Sequence, residues 1–239
     1  MDFSSSAALA SACQGASAVI HLVGIISELG ANTYENVHAG LTKRIVTASR
    51  EAGVRRFIHM SALGTRENAR SRYHRSKWDA ETSVRDSGLD WTILRPSLIY
   101  GREDSFTRLF SRMSDFSPVL PAIGGGLARM QPIGVEQVAQ AFVRALRLPQ
   151  TIGVTYDLCG PERLALRDIL RTILAARQRH RLIVNLPFAV ARVQARVLEF
   201  LWPRLLHRAP PLNRDQILML EEDNLGDGSR ADSELGLVH

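Results

Sequence analysis

Ser17-Ala-Val-Ile-His-Leu-Val-Gly-Ile-Ile26 is almost unbroken in apolar residues and rich in β-branched ones. Such a run suits a strand buried on both faces, the situation of a parallel sheet covered by helices. The chain beyond it is periodic. Tyr34 to Ala52 places Val37, Leu41, Ile45 and Ala48 on one helical stripe, and Gly53 stands where a helix stops. Val54 to Met60 reads as the next strand, Tyr73 to Ser87 as the next helix with Gly88 as its stop, and Asp90 to Arg95 as a third strand. Helix, glycine, short gap and strand thus occur twice, as Arg50-Glu-Ala-Gly-Val54 and Arg85-Asp-Ser-Gly-Leu89. Repeated alternation with short connections predicts right-handed βαβ units. The expected fold class is α/β, a parallel sheet with flanking helices plus a smaller mixed C-terminal lobe.

Beyond Pro96 the regularity loosens. Ser105 to Ser114 reads as a short helix, Pro118 to Gly126 as a Pro/Gly-rich loop, and Gln131 to Val135 as an extended piece leading into a helix over Glu136 to Leu146. Thr155 to Cys159 is a strand expected to return to the main sheet. Helices are expected over Leu166 to Arg177 and Phe188 to Leu201, and the acidic tail from Glu221 is expected to be loose. The layout predicted is a main unit of residues 1–100 with 131–160, and a lobe of 101–130 with 161–239.

Hydrophobic residues at 45% and charged residues at 23% are ordinary globular values and exclude a disordered, collagen-like or low-complexity chain. No stretch reaches the roughly 18 apolar residues of a spanning helix, and the N-terminus lacks the basic start of a secretory signal. Two cysteines, Cys13 and Cys159, make no disulfide scaffold and no metal-ligand spacing, so a reducing compartment, the cytoplasm, and no metal are expected. Of 30 basic residues only Lys43 and Lys77 are lysine. The arginines are scattered, so the charge of +6 reads as a solvated surface rather than a nucleic-acid face.

Tyr73-His-Arg-Ser-Lys77 is the sharpest constellation. On a helix, i and i+4 share a face. A lysine there is expected to lower the tyrosine's pKa, letting the phenol pass a proton to or from a substrate oxygen. Ser61 closes strand 54–60, at the kind of strand end where open α/β sheets place ligands. Ser61, Tyr73 and Lys77 are therefore the catalytic candidates. His21 and His59 read as core histidines, Glu103-Asp104 as a loop or cap, and Gly124-Gly-Gly126 as a loop. Ile183 to Leu206 mixes apolar residues with Arg192, Arg196 and Arg204, which suits either an interfacial helix on a membrane or packing within the lobe.

Ser61, Tyr73-x-x-x-Lys77 and Leu94-Arg-Pro-Ser-Leu-Ile-Tyr-Gly101 resemble the extended and atypical short-chain dehydrogenase/reductase superfamily, with its Rossmann-like, epimerase/dehydratase-type fold. His21-Leu-Val-Gly-Ile25, Phe57-Ile-His-Met-Ser-Ala-Leu-Gly64, Tyr100-Gly-Arg-Glu-Asp104, Gln131-Pro-Ile133, Thr155-Tyr-Asp-Leu-Cys-Gly-Pro161 and Asn213-Arg-Asp-Gln216 narrow this to something similar to the NAD(P)H-binding accessory subunits of respiratory complex I and their bacterial relatives. The resemblance implies NAD(P)H as cofactor, NADP ahead of NAD. It implies that Leu22, Val23 and Gly24 approach the cofactor ribose, that Lys77 bonds the nicotinamide ribose, that Pro96 and Ser97 border the nicotinamide, and that Ser61 and Tyr73 are also cofactor-binding. Asp2 is matched to an acidic residue near adenine.

The superfamily opens with a strand and a glycine-rich turn that cradles the pyrophosphate, and no such turn precedes the first strand here. The chain thus reads as N-terminally truncated, beginning near the family's fourth strand. Weak cofactor binding and an unpaired sheet edge are the expectations. Two functions remain open. One is an oxidoreductase moving hydride between nicotinamide and a carbonyl or alcohol substrate. The other is a non-catalytic nucleotide-binding accessory or assembly subunit of a respiratory NADH dehydrogenase (a ubiquinone reductase), peripheral on the inner face of the cell membrane.

Overall fold

The computed structural model describes residues 5–238. Helix α1 (Ser6–Cys13) leads into strand β1 (Ala18–His21). A π-helical turn over Glu35–Gly40 runs directly into α2 (Leu41–Glu51), then β2 (Arg56–Met60), α3 (Arg72–Arg85) and β3 (Asp90–Pro96). Next come β4 (Ile99–Tyr100), α4 (Ser105–Phe116), β5 (Val119–Ile123), a 3-10 turn at Gly124–Gly126, β6 (Arg129–Met130), β7 (Ile133–Gly134) and α5 (Val135–Arg147). The chain continues through β8 (Val154–Leu158), β9 (Leu164–Ala165), α6 (Leu166–Ala176), β10 (Leu182–Leu186), α7 (Phe188–Leu206), α8 (Arg214–Met219) and α9 (Ser229–Leu235).

The main sheet has the order β1-β2-β3-β8, and every pair in it is parallel. The strand over 154–158 does return to this sheet, beside β3. Alternation along each strand decides the two faces. Phe57 and Ile93 face Leu9, Leu41, Ile45 and Val84 of α1, α2 and α3. Their neighbours Ile58 and Leu94 face Val138, Ala141 and Phe142 of α5. Helices therefore cover both faces of the central strands, whereas β1, expected to be buried on both faces, is an edge strand with Ile20 41% exposed. Gly53, at φ +75°, ends α2 in the left-handed conformation that a side chain would oppose.

Five sequence expectations change. The first strand ends at His21 rather than Ile26, and Leu22 beyond it is half exposed. Leu41, Ile45 and Ala48 are buried as expected, but within the π-helical turn before them His38 rather than Val37 is buried. The expected loop at 118–126 contains β5, whose parallel partner β10 lies far along the chain, with Leu120 and Ala122 fully buried. That same pairing splits the Ile183–Leu206 segment into a strand and a helix. The tail is also not loose: Ala231, Leu235 and Leu237 complete the core against α5 and β8.

β5 and β10, with α4, α6, α7 and α8, build the lobe. α7 lays small residues, Ala191 and Ala195, against Ile217 of α8. Its other side is left open, with Val190, Val193, Val197, Phe200 and Leu205 exposed. Among the described residues no helix is long and apolar enough to cross a membrane.

Candidate functional site

Helix α3 starts at a fixed point. Ser71 caps it by accepting the N–H of His74, and the Asp215 carboxylate accepts the N–H groups of Arg72 and Tyr73 at 2.8 and 2.7 Å. These satisfy donors that a helix N-terminus otherwise leaves free. Asp215 belongs to Asn213-Arg-Asp-Gln216, whose Asn213 also donates to the Ile26 carbonyl at 2.9 Å. The lobe thereby clamps the two segments that carry the site.

One turn into α3, Lys77 is 3% exposed and donates through Nζ to the Met60 carbonyl at 3.1 Å, one residue before Ser61. Gly24 lies against the same ammonium: a Cβ there would sit 3.1 Å from Nζ and 3.5 Å from His38 Nε2. Burial pushes the Lys77 pKa down to about 8, against the pull of Glu81. Glu81 is itself buried and held by Arg95 through two bonds of 2.7 and 2.6 Å.

His38 ties these parts together, and no motif spacing in the sequence singles it out. Its Nε2 accepts the Ile25 N–H at 3.1 Å, which places the ring proton on Nδ1, 2.8 Å from Ser76 Oγ. Ser76 in turn donates to the Tyr73 carbonyl at 2.8 Å. The ring lies parallel to Tyr34 and edge-on to Tyr73. Burial, then the Lys77 charge, lower its pKa to about 3, so it works as a neutral acceptor. Its one signal in the sequence is a histidine on an otherwise apolar helical face.

Tyr73 departs from expectation in its electrostatics. Burial pushes its phenol up to about 12, and no neighbouring charge offsets this. Lys77 turns to the Met60 carbonyl instead. Among the described residues the Tyr73 hydroxyl has no hydrogen-bond partner. Ser61 is buried and continues the sheet by donating its N–H to the Leu94 carbonyl, while its Oγ lies 3.3 Å from Thr65 Oγ1. Pro96 ends β3 and accepts the Leu63 N–H. Ser97 donates its N–H to Leu158, and its buried Oγ has no partner. Val23 packs on the α1–α2 core, while Leu22 is open to solvent. The structure thus brings Gly24, Lys77, Met60 and His38 together; Ser61 adjoins them through the backbone, and Tyr73 through the ring of His38. Asp2 lies outside the described residues.

His21 and His59 are core residues, as expected. His21 Nε2 lies 2.9 Å from Thr42 Oγ1, and both nitrogens of His59 are buried without a partner. Asp104 caps α4 and Glu103 pairs with Arg108. Among the described residues no three His, Cys, Asp or Glu side chains gather as a metal site. A cavity of about 590 Å³ opens beside the site, behind Tyr34, and is lined by Arg72, Arg75, Asn213 and Leu218 among others.

A nicotinamide-ribose fits this arrangement. An ammonium has three donors and Lys77 shows one in use, Gly24 leaves open the space a side chain would fill, and Ser97 Oγ is an orphaned hydroxyl. A diphosphate does not find a cradle at the triple glycine. A Cβ at Gly124 would lie 2.3 Å from the Phe188 ring, and one at Gly126 would lie 3.0 Å from Arg167. That turn is packed into the lobe.

Known proteins of similar sequence and fold agree with this geometry. Residues 1–149 match the NAD(P)H-binding family. The chain is 30% identical over 229 residues to the NADH dehydrogenase [ubiquinone] 1 alpha subcomplex subunit 9 of Arabidopsis thaliana, covering 93% of this chain and 57% of that protein. It is 33% identical over 148 residues to a ceramide reductase of Caulobacter vibrioides, covering 62% and 46%. The chain spans about half the length of the curated relatives it matches. An NADPH-dependent quinone oxidoreductase of Escherichia coli, solved with NADPH, shares the fold at a TM-score of 0.73 and 18% identity over 99% of this chain and 77% of that one. The chain belongs to the NAD(P)H-binding family.

Proposed function

We propose that the chain serves as a nucleotide-holding accessory module of a membrane-bound respiratory NADH dehydrogenase, with α7 resting on the adjoining anionic lipid surface. The observation that carries this is the open face of α7. Val190, Val193, Val197, Phe200 and Leu205 are exposed on a single helix whose other side is packed. Arg196 and Arg204 on the same helix complement anionic headgroups. The subunit 9 relatives supply the respiratory context.

In this reading Lys77, Gly24 and Ser97 hold the nicotinamide-ribose half of NAD(P)H, NADP ahead of NAD as in the Escherichia coli oxidoreductase of like fold. Affinity of the isolated chain is expected to be weak, because the triple glycine is packed against Phe188 and Arg167 and offers no phosphate cradle. Vesicles containing phosphatidylglycerol should sediment the chain at low salt, and Val193→Glu with Val197→Glu should abolish this without changing the urea midpoint. Native membrane extracts should carry the chain with NADH dehydrogenase activity. A chain that neither binds such vesicles nor migrates above its own mass ends this reading.

A second reading is a carbonyl reductase, favoured by the Tyr73 phenol and by the likeness to ceramide reductase. A phenol held protonated suits the reductive direction, where it gives its proton to the carbonyl oxygen. The nicotinamide would supply the hydride. Lys77 would orient the ribose, and Ser61 would hold the same oxygen. Tyr73→Phe should then abolish turnover and leave the NADPH dissociation constant unchanged. Equal turnover in that variant removes the assignment.

A further inference from the structure

Glu221, Glu222 and Asp223 take no part in the nucleotide site, yet each is pinned by arginine. Glu221 stands between Arg70 and Arg192, and Glu222 meets Arg66. Asp223 accepts Nε and Nη2 of Arg129 at 2.8 and 2.6 Å, and also its backbone N–H at 2.8 Å. The next few residues lie flat on the molecule. Asn224 donates its N–H to the Arg129 carbonyl at 2.8 Å, and Gly226 donates its N–H to Gln131 Oε1 at 2.9 Å.

What lies beneath is the C-terminal end of the main sheet. A Cβ at Gly226 would come within 2.6 Å of Leu63 Cδ1 and 3.0 Å of Cys159 Sγ. Leu63 donates its N–H to Pro96, Ser97 donates to Leu158, and Gly160 donates to Gln131, so this floor is made of the ends of β2, β3 and β8. Open α/β sheets take their ligands at that end. The segment is anchored at both ends by fully buried residues, Ile217 in the lobe and Ala231 in the main core. Between these anchors it is held by the backbone bonds of Asn224 and Gly226 and by ion pairs to arginines whose side chains are 46 to 56% exposed. The Glu222 and Asp223 pairs are open to solvent on both sides and are therefore weak and screened by salt, whereas Glu221 is 9% exposed.

We propose that residues 221–228 form an ionic latch, a lid over the strand ends that Arg66, Arg70, Arg129 and Arg192 hold shut and that competing anions release. Closed, it covers the side of the cleft from which a substrate would reach Ser97. This consequence for a substrate rests on the nucleotide-site reading, whereas the latch itself does not.

Cys159 reports the lid directly. It is 3% exposed under Gly226, and burial pushes its thiol up to about 12. Cys13→Ser leaves Cys159 as the single thiol. Its labelling by an aromatic disulfide reagent at fixed pH should accelerate on the order of tenfold between about 0.05 and about 0.5 M NaCl, normalised to the urea-unfolded chain, with the urea midpoint unchanged. Glu222→Gln with Asp223→Asn should give the same acceleration at low salt. If that pair fails to fold, Arg129→Gln and the salt series of the parent chain decide. Labelling that ignores salt and follows global unfolding in every variant overturns the latch. Failure of an NADPH titration would strike the nucleotide reading and leave the thiol result standing.

Discussion

Lys77 donates to the carbonyl of Met60 from inside the protein, 3.1 Å away, and Gly24 leaves open the space beside its ammonium. That contact joins the end of β2 to the segment after β1 and to α3, and it buries one of the chain's two lysines.

The cation has a cost that depends on pH. Its folded pKa, about 8, is below the ordinary value of 10.5, so between those values the unfolded chain holds the proton more tightly. Folding stability linked to Lys77 therefore rises as pH increases from about 8 to 10.5. Compared with Lys77→Met, the parent should gain about 1.4 kcal/mol per pH unit across that window. Parallel urea titrations of the two proteins measure it, and a pH-independent difference would place the ammonium in water.

The histidines link stability to pH in the same direction, over a lower window. Burial lowers His21 to about 4 and His38 to about 3, and holds His59 well below the ordinary 6.5. As pH falls from 6.5 towards 4, the unfolded chain takes up protons that the folded one refuses, and stability is lost. His59, with both nitrogens unpartnered, contributes to this loss without a compensating bond. His59→Leu should raise the thermal midpoint at pH about 5.5 more than at pH about 7.5. A lower midpoint at both would mean that the ring has a bonding partner.

Asp215 accepts two backbone N–H groups at the start of α3. Asp215→Ala should lower stability by about 2 kcal/mol and speed amide exchange over Arg72 to His74. Asp215→Asn, which keeps one acceptor, should fall between. Exchange unchanged in the alanine variant would show that water replaces the carboxylate.

Gly24→Ala should weaken NADPH binding about tenfold, or about 1.4 kcal/mol, with little loss of stability. The added methyl meets the flexible end of Lys77 at 3.1 Å, so the ammonium moves and the fold does not. Calorimetric titration against a urea midpoint separates the two effects.

Local pattern carried most of the main unit. The helix α3, the spacing of Tyr73 and Lys77, the strands over 56–60 and 90–96 and the stop at Gly53 all follow from periods of 3.6 and 2 and from turn chemistry within a few residues. Longer reach decided the rest. β5 read as a loop because its partner β10 is more than fifty residues away and contributes nothing to a local window. The tail read as loose because its acids find their arginines on three separate segments, and its apolar residues find a core built from α5 and β8. Tyr73 was expected to be activated from its spacing to Lys77. The spacing is there, but what sets the proton affinity of a phenol is the surroundings of its oxygen, and those come from Tyr34 and His38 on other elements and from a burial that no stretch of sequence contains.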